Sequence, residues 1–263
     1  MRSFFGRRAA LALALVVAGL PPTAPAENAP ADQLARTGSL VAAFLQQFAD
    51  VKCTELVTQE KLGHNGKPEY KLDSVYDLLV TASTAGDQLA LEESRLAERQ
   101  PVPAKPVSLL VTNGFSTLLL VFHPYYQGSF DFSRLPDEVV EGKRLLRIAF
   151  RHIPGRRTPA ALVLRGREYP LDLAGTAWLD SDTGMIVKID AEVSSMEDLG
   201  LSALRSEVSY APMRFGGASQ AWWLPVSATI DVQTARQHWR NIHRFTDYKR
   251  FSVDTEVTFP KQP

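Results

Sequence analysis

The sequence lacks the residues from which common catalytic and metal sites are built. It contains one cysteine, Cys53, among 263 residues, so it cannot form an internal disulfide, and we expect this thiol to be buried. No Gly-x-Ser-x-Gly motif occurs, and the five histidines are scattered along the chain. His238 and His243 would point to opposite faces of a strand, so they cannot share a metal ion. We therefore expect no catalytic residue, no metal and no cofactor.

The chain also lacks an excess of charge of either sign. Lysine plus arginine and aspartate plus glutamate each number 29. A nucleic-acid surface needs clustered basic residues in excess, and general attraction to anionic lipid needs the same. We therefore expect no nucleic-acid partner.

No hydrophobic run is long enough to anchor the chain in a membrane. A spanning helix needs about 20 apolar residues, whereas the apolar run near the N-terminus covers residues 9–20 and ends at two prolines. It follows three arginines and precedes the small-residue sequence Ala24-Pro25-Ala26, which is the form of a signal peptide over residues 1–26. We predict a periplasmic or secreted product that is soluble after cleavage and has no transmembrane segment. General secretory and twin-arginine export both stay open.

What the sequence does have is a regular alternation of apolar and polar residues over residues 169–192. Leu173 and Ala177 before a turn at residues 181–184, and Ile189 after it, belong to the apolar set. A period of two places such residues on one face of a sheet. The stretch predicts one long β-hairpin with an apolar face turned to the core.

The rest of the chain predicts a mainly β protein with a few helices. Residues 27–31 predict a flexible lead-in, and residues 32–51 have the spacing of an amphipathic helix. About ten strands follow, separated by turn residues such as the Asn65-Gly66 pair. We find no repeat and no linker, and expect a single domain over residues 32–259.

An apolar segment at residues 107–122 interrupts the strands. We interpret residues 115–123 as a short helix that is hydrophobic all round and therefore buried. It is either permanent core or a movable lid over an apolar cavity, and the sequence leaves both open. The residues that would form this lid or line the cavity are Leu110, Phe115, Leu118, Leu119, Phe122, Trp178 and Trp239.

Two groups of arginines stand out among the charged residues. One lies between Arg151 and Arg167, and the other between Arg236 and Arg250 on the last predicted strand. Solvated loops and strand ends are the plainer interpretation, and long basic side chains can also cover apolar surface while their charges stay in water. Contact with an acidic partner or a lipid head group is the alternative. The glutamates at 92, 93 and 98 are interpreted as a solvated strand edge.

The order of elements and the hairpin sequence resemble a known family. Gly175-Thr-Ala-Trp178-Leu-Asp180, leading into Asp182-Thr-Gly184, resembles the periplasmic lipoprotein-carrier superfamily, which is LolA/LolB-like and has RseB-like relatives. The resemblance implies a large curved antiparallel sheet that forms an unclosed half-barrel, lidded by an N-terminal helix and a short mid-chain apolar helix. It also implies binding of acyl chains or lipoproteins without catalysis. No binding residue is carried over from the family, and the chain lacks the lipid-attachment cysteine of its receptor branch.

Three functional hypotheses follow. The favoured one is an exported, non-enzymatic binding protein that holds an acyl chain, lipid or lipoprotein on the apolar concave face of its sheet. The alternative is an envelope protein-interaction or regulatory module of the same fold, with a filled core and no lipid ligand. An enzyme is the least supported, because the sequence offers no nucleophile–base or metal constellation.

Overall fold

The computed structural model describes residues 27–250 except 50, 86–87, 100–114, 165–166, 194–199 and 216–220. The predicted signal peptide at residues 1–26 and the candidate residue Leu110 lie outside the described residues.

The described chain is mainly β. Its helices are α1 (Ala31–Ala49), α2 (Pro124–Gln127) and a 3₁₀ helix, Phe115–Phe122, which we call the inner helix. The strands are β1 (Glu27–Asn28), β2 (Val51–Leu62), β3 (Pro68–Ala85), β4 (Gln88–Arg99), β5 (Phe130–Val140), β6 (Lys143–His152), β7 (Ala161–Leu164), β8 (Arg167–Pro170), β9 (Leu173–Asp180), β10 (Ile186–Val193), β11 (Leu201–Met213), β12 (Trp222–Thr234) and β13 (His238–Arg250).

Within the described residues, eleven of these strands form one antiparallel sheet. Their order is β1-β5-β6-β9-β10-β11-β12-β13-β2-β3-β4, and β7 pairs with β8 in a separate two-stranded sheet. The first and last strands of the large sheet do not pair with each other, so the sheet stays open. The expected fold, an unclosed antiparallel sheet with an N-terminal helix and a short mid-chain helix, is confirmed.

The large sheet has one apolar face, which we call the inner face, and a largely polar outer face. Ile148, Ala177, Ile189, Val208 and Ala228 are each directly paired with the next across β6, β9, β10, β11 and β12. All five are 0% to 1% exposed. This row marks the centre of the core.

Helix α1 covers the inner face because its apolar residues recur at helical spacing. Val41, Phe44, Leu45 and Phe48 are buried, and the Phe44 ring meets the Tyr210 ring edge-on with centroids 5.9 Å apart. The chain before α1 differs from the expected flexible lead-in at residues 27–31. Its first two residues form β1 on β5, and α1 already begins at Ala31.

The predicted hairpin is present with two corrections. Residues 169–170 belong to β8 rather than to the first arm, which begins at Leu173. A bulge between Ile186 and Lys188 turns Ile186 inward, so Met185 and Val187 do not share the face of Ile189 as expected. From Ile189 onward the predicted alternation holds.

The turn of this hairpin is fastened to α1. Asp180 Oδ1 accepts the backbone N–H groups of Asp182 and Thr183 at 3.1 and 2.8 Å, which closes the turn. Arg36 Nη2 donates to the Asp182 carbonyl at 2.8 Å, and the Thr37 hydroxyl donates to the Gly184 carbonyl at 3.3 Å. The helix is therefore held at a fixed position over the sheet.

Cys53 is buried on the inner face, as predicted. Burial raises the pKa of its thiol to about 12, so it stays protonated at neutral pH.

Candidate functional site

The inner helix lies between α1 and the inner face of the sheet. The side chains of residues 118–122 are each 5% exposed or less. The Phe122 ring packs against Phe132 and Phe150, with centroids 5.0 and 6.0 Å apart. A helix that is apolar all round is expected to be buried in this way.

Few polar contacts join the inner helix to the described part of the sheet. The Tyr210 hydroxyl of β11 accepts a hydrogen bond from the Leu119 N–H at 3.4 Å and donates one to the Ser116 carbonyl at 3.2 Å. The Ser116 hydroxyl donates to Glu93 Oε1 of β4 at 3.0 Å. Apolar packing therefore accounts for most of what holds this helix.

The structure brings together only part of the predicted site. Leu118, Leu119 and Phe122 lie in the inner helix, and Phe115 is its first residue. Trp239 lies on the inner face of β13, opposite Lys61 of β2 and near one end of the sheet.

Trp178 was expected at the lid or cavity, and the structure places it elsewhere. It lies on the outer face, where its indole donates to Glu138 Oε2 at 2.7 Å. The Arg147 guanidinium and the Lys188 ammonium lie 5.5 and 5.0 Å from its ring centroid. Trp178 lies between the inward-facing Ala177 and Leu179, so the alternation of the strand already predicts that its side chain is on the outer face.

Beyond Ala228 the inner face becomes polar. The buried row continues by direct pairing from Ala228 to His243 of β13, then to Val57 of β2 and Ser74 of β3. Two positions along β2 from Val57, Glu55 is 0% exposed. The inner face thus has an apolar half, from β6 to β12, and a mixed half, from β13 to β4, in which polar side chains lie among buried apolar ones such as Val51 and Leu78. We call this mixed half the polar half.

Four ionisable side chains form a cluster in this polar half. Arg95 of β4 binds both carboxylate oxygens of Glu55, with Nη2 to Oε1 at 2.9 Å. His243 Nδ1 lies 2.8 Å from Glu55 Oε1, and Arg95 Nη2 lies 3.0 Å from Glu93 Oε2. Because Glu93 also accepts from Ser116, the cluster reaches the first turn of the inner helix.

Glu55 is held in its ionised form within this cluster. Burial favours the neutral form of Glu55, but hydrogen bonds from His243 and Arg95 outweigh it and hold the pKa of Glu55 below its usual value. Buried ion pairs of this kind contribute little to stability when compared with apolar side chains of similar size. A charged cluster inside an apolar fold is therefore better explained by function or by specificity than by stability.

Sequence reasoning missed this cluster, although one signal was available. Val51, Cys53, Glu55 and Val57 occupy alternate positions of β2 and therefore share one face, so a carboxylate lies among residues that are otherwise apolar. Glu93 was expected on a solvated strand edge, and this is wrong, because its side chain is 6% exposed. The pairing of β4 with β3 turns Glu93 and Arg95 inward.

Two features are absent from the described residues. No group of three or more His, Cys, Asp or Glu side chains among them is placed to hold a metal ion. No helix among the described residues is both long and apolar enough to cross a membrane. What the site provides is an amphipathic surface, apolar on one side and charged on the other.

No protein-family model matches the sequence, and no curated protein matches it significantly. Among solved structures, the chain is similar to a DUF1329 family protein from Desulfovibrio piger at 12% identity and a TM-score of 0.39, over 85% of this chain and 95% of that one. It is similar to a LolA superfamily protein from Nitrosomonas europaea at 11% identity and a TM-score of 0.39, over 83% and 95% of the two chains. The lipoprotein LppX of Mycobacterium tuberculosis matches at 10% identity and a TM-score of 0.27, over 87% and 100%. These likenesses concern the fold, and we take no function from them.

Proposed function

We propose that this protein is an exported, non-enzymatic carrier that holds the acyl chain of a lipid or lipoprotein on the apolar half of its inner face. The observation that carries the proposal is the inner helix, which fills that surface with side chains an acyl chain could replace. In this proposal the inner helix is a lid, and ligand entry displaces it.

The energetics favour such an exchange. Extended 3₁₀ runs are uncommon because their hydrogen-bond geometry is poorer than that of an α-helix. The inner helix runs for eight residues in this form, so packing rather than backbone bonding keeps it there. Burying an acyl chain gains about 0.8 kcal/mol per CH₂, so a long chain can offset the apolar contacts that the helix gives up.

The direct test is native mass spectrometry of the mature protein purified from an envelope extract, followed by lipid extraction. We expect an additional mass that extracts into organic solvent and contains acyl chains. Protein that purifies without ligand is then offered palmitate and a diacylated lipopeptide. A measured mass equal to that of the protein alone, with no uptake of palmitate or of the lipopeptide, would reject the carrier proposal.

The burial of residues 118–122 favours one other candidate. If residues 118–122 are permanent core, the protein is an envelope interaction or regulatory module that binds a protein partner through its surface. This candidate requires partner-dependent complexes and no co-purifying lipid, so the same measurement separates the two.

Export belongs to the proposal as well. The predicted signal peptide at residues 1–26 would deliver the chain to the periplasm or the medium. N-terminal sequencing of the protein recovered from a periplasmic fraction tests this, and we expect the mature chain to begin at Glu27.

A further inference from the structure

A pocket lies at the end of the sheet where two turns come side by side. One turn joins β2 to β3 and the other joins β12 to β13, and they are adjacent because Leu62 of β2 pairs with His238 of β13. The pocket encloses about 270 Å³. Pockets for drug-sized ligands start at about 300 Å³, so this one suits a small polar group rather than a large ligand.

Both turns are closed by their own hydrogen bonds, so the pocket is preformed. In the first turn, the Gly63 N–H donates to the Lys67 carbonyl and the Gly66 N–H donates to the Gly63 carbonyl, each at 2.9 Å. In the second, Thr234 Oγ1 accepts the N–H groups of Arg236 and Gln237 at 3.2 and 3.0 Å. A ligand would therefore find the walls already in place.

The lining has more basic than acidic side chains. Lys61, Arg236, His64 and His238 line the pocket, and Glu69 is the single carboxylate among the lining residues. Within the described residues, the side chains of Lys61 and Arg236 form no ion pair or hydrogen bond. His238, in contrast, is held by Asp231 at 3.0 Å. Two cations without counterions on the walls of one pocket are the arrangement that an oxyanion completes.

Glu69 does not supply that counterion. Its carboxylate lies over Gly63, where an added Cβ would come within 2.6 Å of Glu69 Oε1. It forms no ion pair with any described residue, and with Lys61 and Arg236 on the same walls the pocket keeps a net positive charge.

The pocket also adjoins the inner face. Lys61 belongs to the inner register of β2, and its directly paired neighbour is Trp239 of β13. The indole Nε1 of Trp239 is buried and has no hydrogen-bond acceptor among the described residues. Trp239 is not itself among the residues that line the pocket, so it borders the site only through Lys61.

From these observations we infer that the pocket between the two turns is a binding site for a phosphate-type oxyanion, either free or as the head group of an anionic lipid. Lys61 and Arg236 provide the charge, and Lys61 connects the pocket to the inner face. The lipid form of this inference rests on the proposed function, because it places the acyl chain on the apolar half. The anion site itself does not.

The test is a ¹⁵N-NMR titration of the mature protein at low ionic strength, in a buffer without phosphate. Inorganic phosphate and dihexanoyl phosphatidic acid are added in separate series. We expect saturable shifts at residues of both turns. In the double variant Lys61→Glu with Arg236→Glu, the apparent affinity is expected to fall at least about tenfold, as loss of charge-assisted hydrogen bonds would cause.

Lys67→Glu with Lys71→Glu is the matched control, because it makes the same total charge change at two exposed residues of one hairpin that do not line the pocket. It is expected to bind within about twofold of the wild type, since an exposed charge outside the site contributes little. Tighter binding of phosphatidic acid than of phosphate identifies a lipid head group, and equal binding identifies a free oxyanion. Both outcomes support the site.

An absence of saturable shifts with both probes overturns the inference, as does wild-type affinity in the double variant. Palmitate uptake is measured on the same variants. Retained uptake alongside a failed phosphate titration rejects the anion site alone, whereas failed uptake with intact phosphate binding rejects only the acyl carrier.

Discussion

At the scale of single residues, Gly175 in β9 lies where two strands leave no room for a side chain. An added Cβ would come within 2.0 Å of the Asp190 carbonyl oxygen and 2.7 Å of Phe150 Cζ. The carbonyl belongs to the backbone of a paired strand and cannot rotate away, so Gly175→Ala is expected to cost about 3 kcal/mol of unfolding free energy. Urea denaturation followed by tryptophan fluorescence measures this loss.

Gly128→Ala is the control for that substitution. Gly128 has a φ of −69° and no atom within 4 Å of an added Cβ, so the change is expected to stay within about 0.5 kcal/mol. Equal losses at the two positions would show that close approach at Gly175 is not the cause. In that case steric crowding would not explain why residue 175 is a glycine.

Glu55 links the buried cluster to acid stability. Because its pKa in the folded protein lies below the usual 4.5, ionised Glu55 stabilises the fold above that pH, and this contribution is lost as the pH falls through the lowered pKa. Glu55→Gln is expected to cost about 3 to 5 kcal/mol at pH 7, because it leaves Arg95 and His243 without the carboxylate that they bind. It is also expected to flatten the decline in stability below pH 4.5.

Urea denaturation at a series of pH values checks both expectations. Glu60→Gln serves as the control, since Glu60 lies on the same strand with its side chain on the outer face and is only partly buried. A parallel pH dependence for wild type and Glu55→Gln would contradict the assignment of the acid-labile charge to Glu55.

At the scale of elements, residue spacing predicted the helices and strands whose structure depends on their own sequence, but not the features that depend on strand pairing. Three local features could be predicted from residue spacing alone. They are the apolar stripe of α1, the alternation in β10 after Ile189 and the mostly apolar inner helix. The bulge at Ile186 was not, because it depends on pairing with β9. The buried cluster was not predicted either, since Glu55, Arg95 and His243 come together only through the neighbourhood of β13, β2, β3 and β4.

The contact between Tyr210 and the inner helix offers a way to loosen one element without changing its apolar packing. Tyr210→Phe keeps the ring but removes the hydrogen bonds to the Leu119 N–H and the Ser116 carbonyl. If the inner helix is a lid, its opening equilibrium is expected to rise about tenfold, as loss of these bonds would cause. Stopped-flow uptake of a fluorescent fatty acid is expected to become faster accordingly.

Tyr248→Phe is the matched control, because it also removes a buried hydroxyl that donates to a backbone carbonyl, that of Pro225 at 2.7 Å. Both variants are expected to lose stability, but only Tyr210→Phe is expected to change the uptake rate. Equal uptake rates in the two variants would argue that the inner helix does not gate ligand entry.

At the scale of the whole molecule, one open sheet carries two surfaces of different character on the same side. Helix α1 spans both halves and packs on β3 and β12, while the inner helix packs on β10, β11 and β12 of the apolar half. The polar half holds the Glu55 cluster and leads to the pocket beside Lys61. The sequence predicted that one face of the sheet is apolar, but it did not predict that this inner face is divided into two halves. The division was not predictable because β2, β3 and β4 come early in the chain yet join the sheet beside the last strand, β13.

This layout predicts two levels of stability in one domain. Strands β9 to β12 are paired on both sides and carry core residues that are 0% to 1% exposed, so their amides are expected to exchange only through global unfolding. A lid must open while the sheet stays folded. Amides of residues 118–122 are therefore expected to exchange with an opening free energy at least about 2 kcal/mol below that of the strands.

Native-state hydrogen exchange at increasing urea concentration separates the two levels. Local opening exposes little surface, so the opening free energy of the inner-helix amides is expected to depend weakly on urea. The opening free energy of the amides in β9 to β12 is expected to fall steeply as urea increases. If both sets share one free energy and one urea dependence, the inner helix unfolds only with the sheet. The apolar half would then be a filled core, and the molecule would act through its surface.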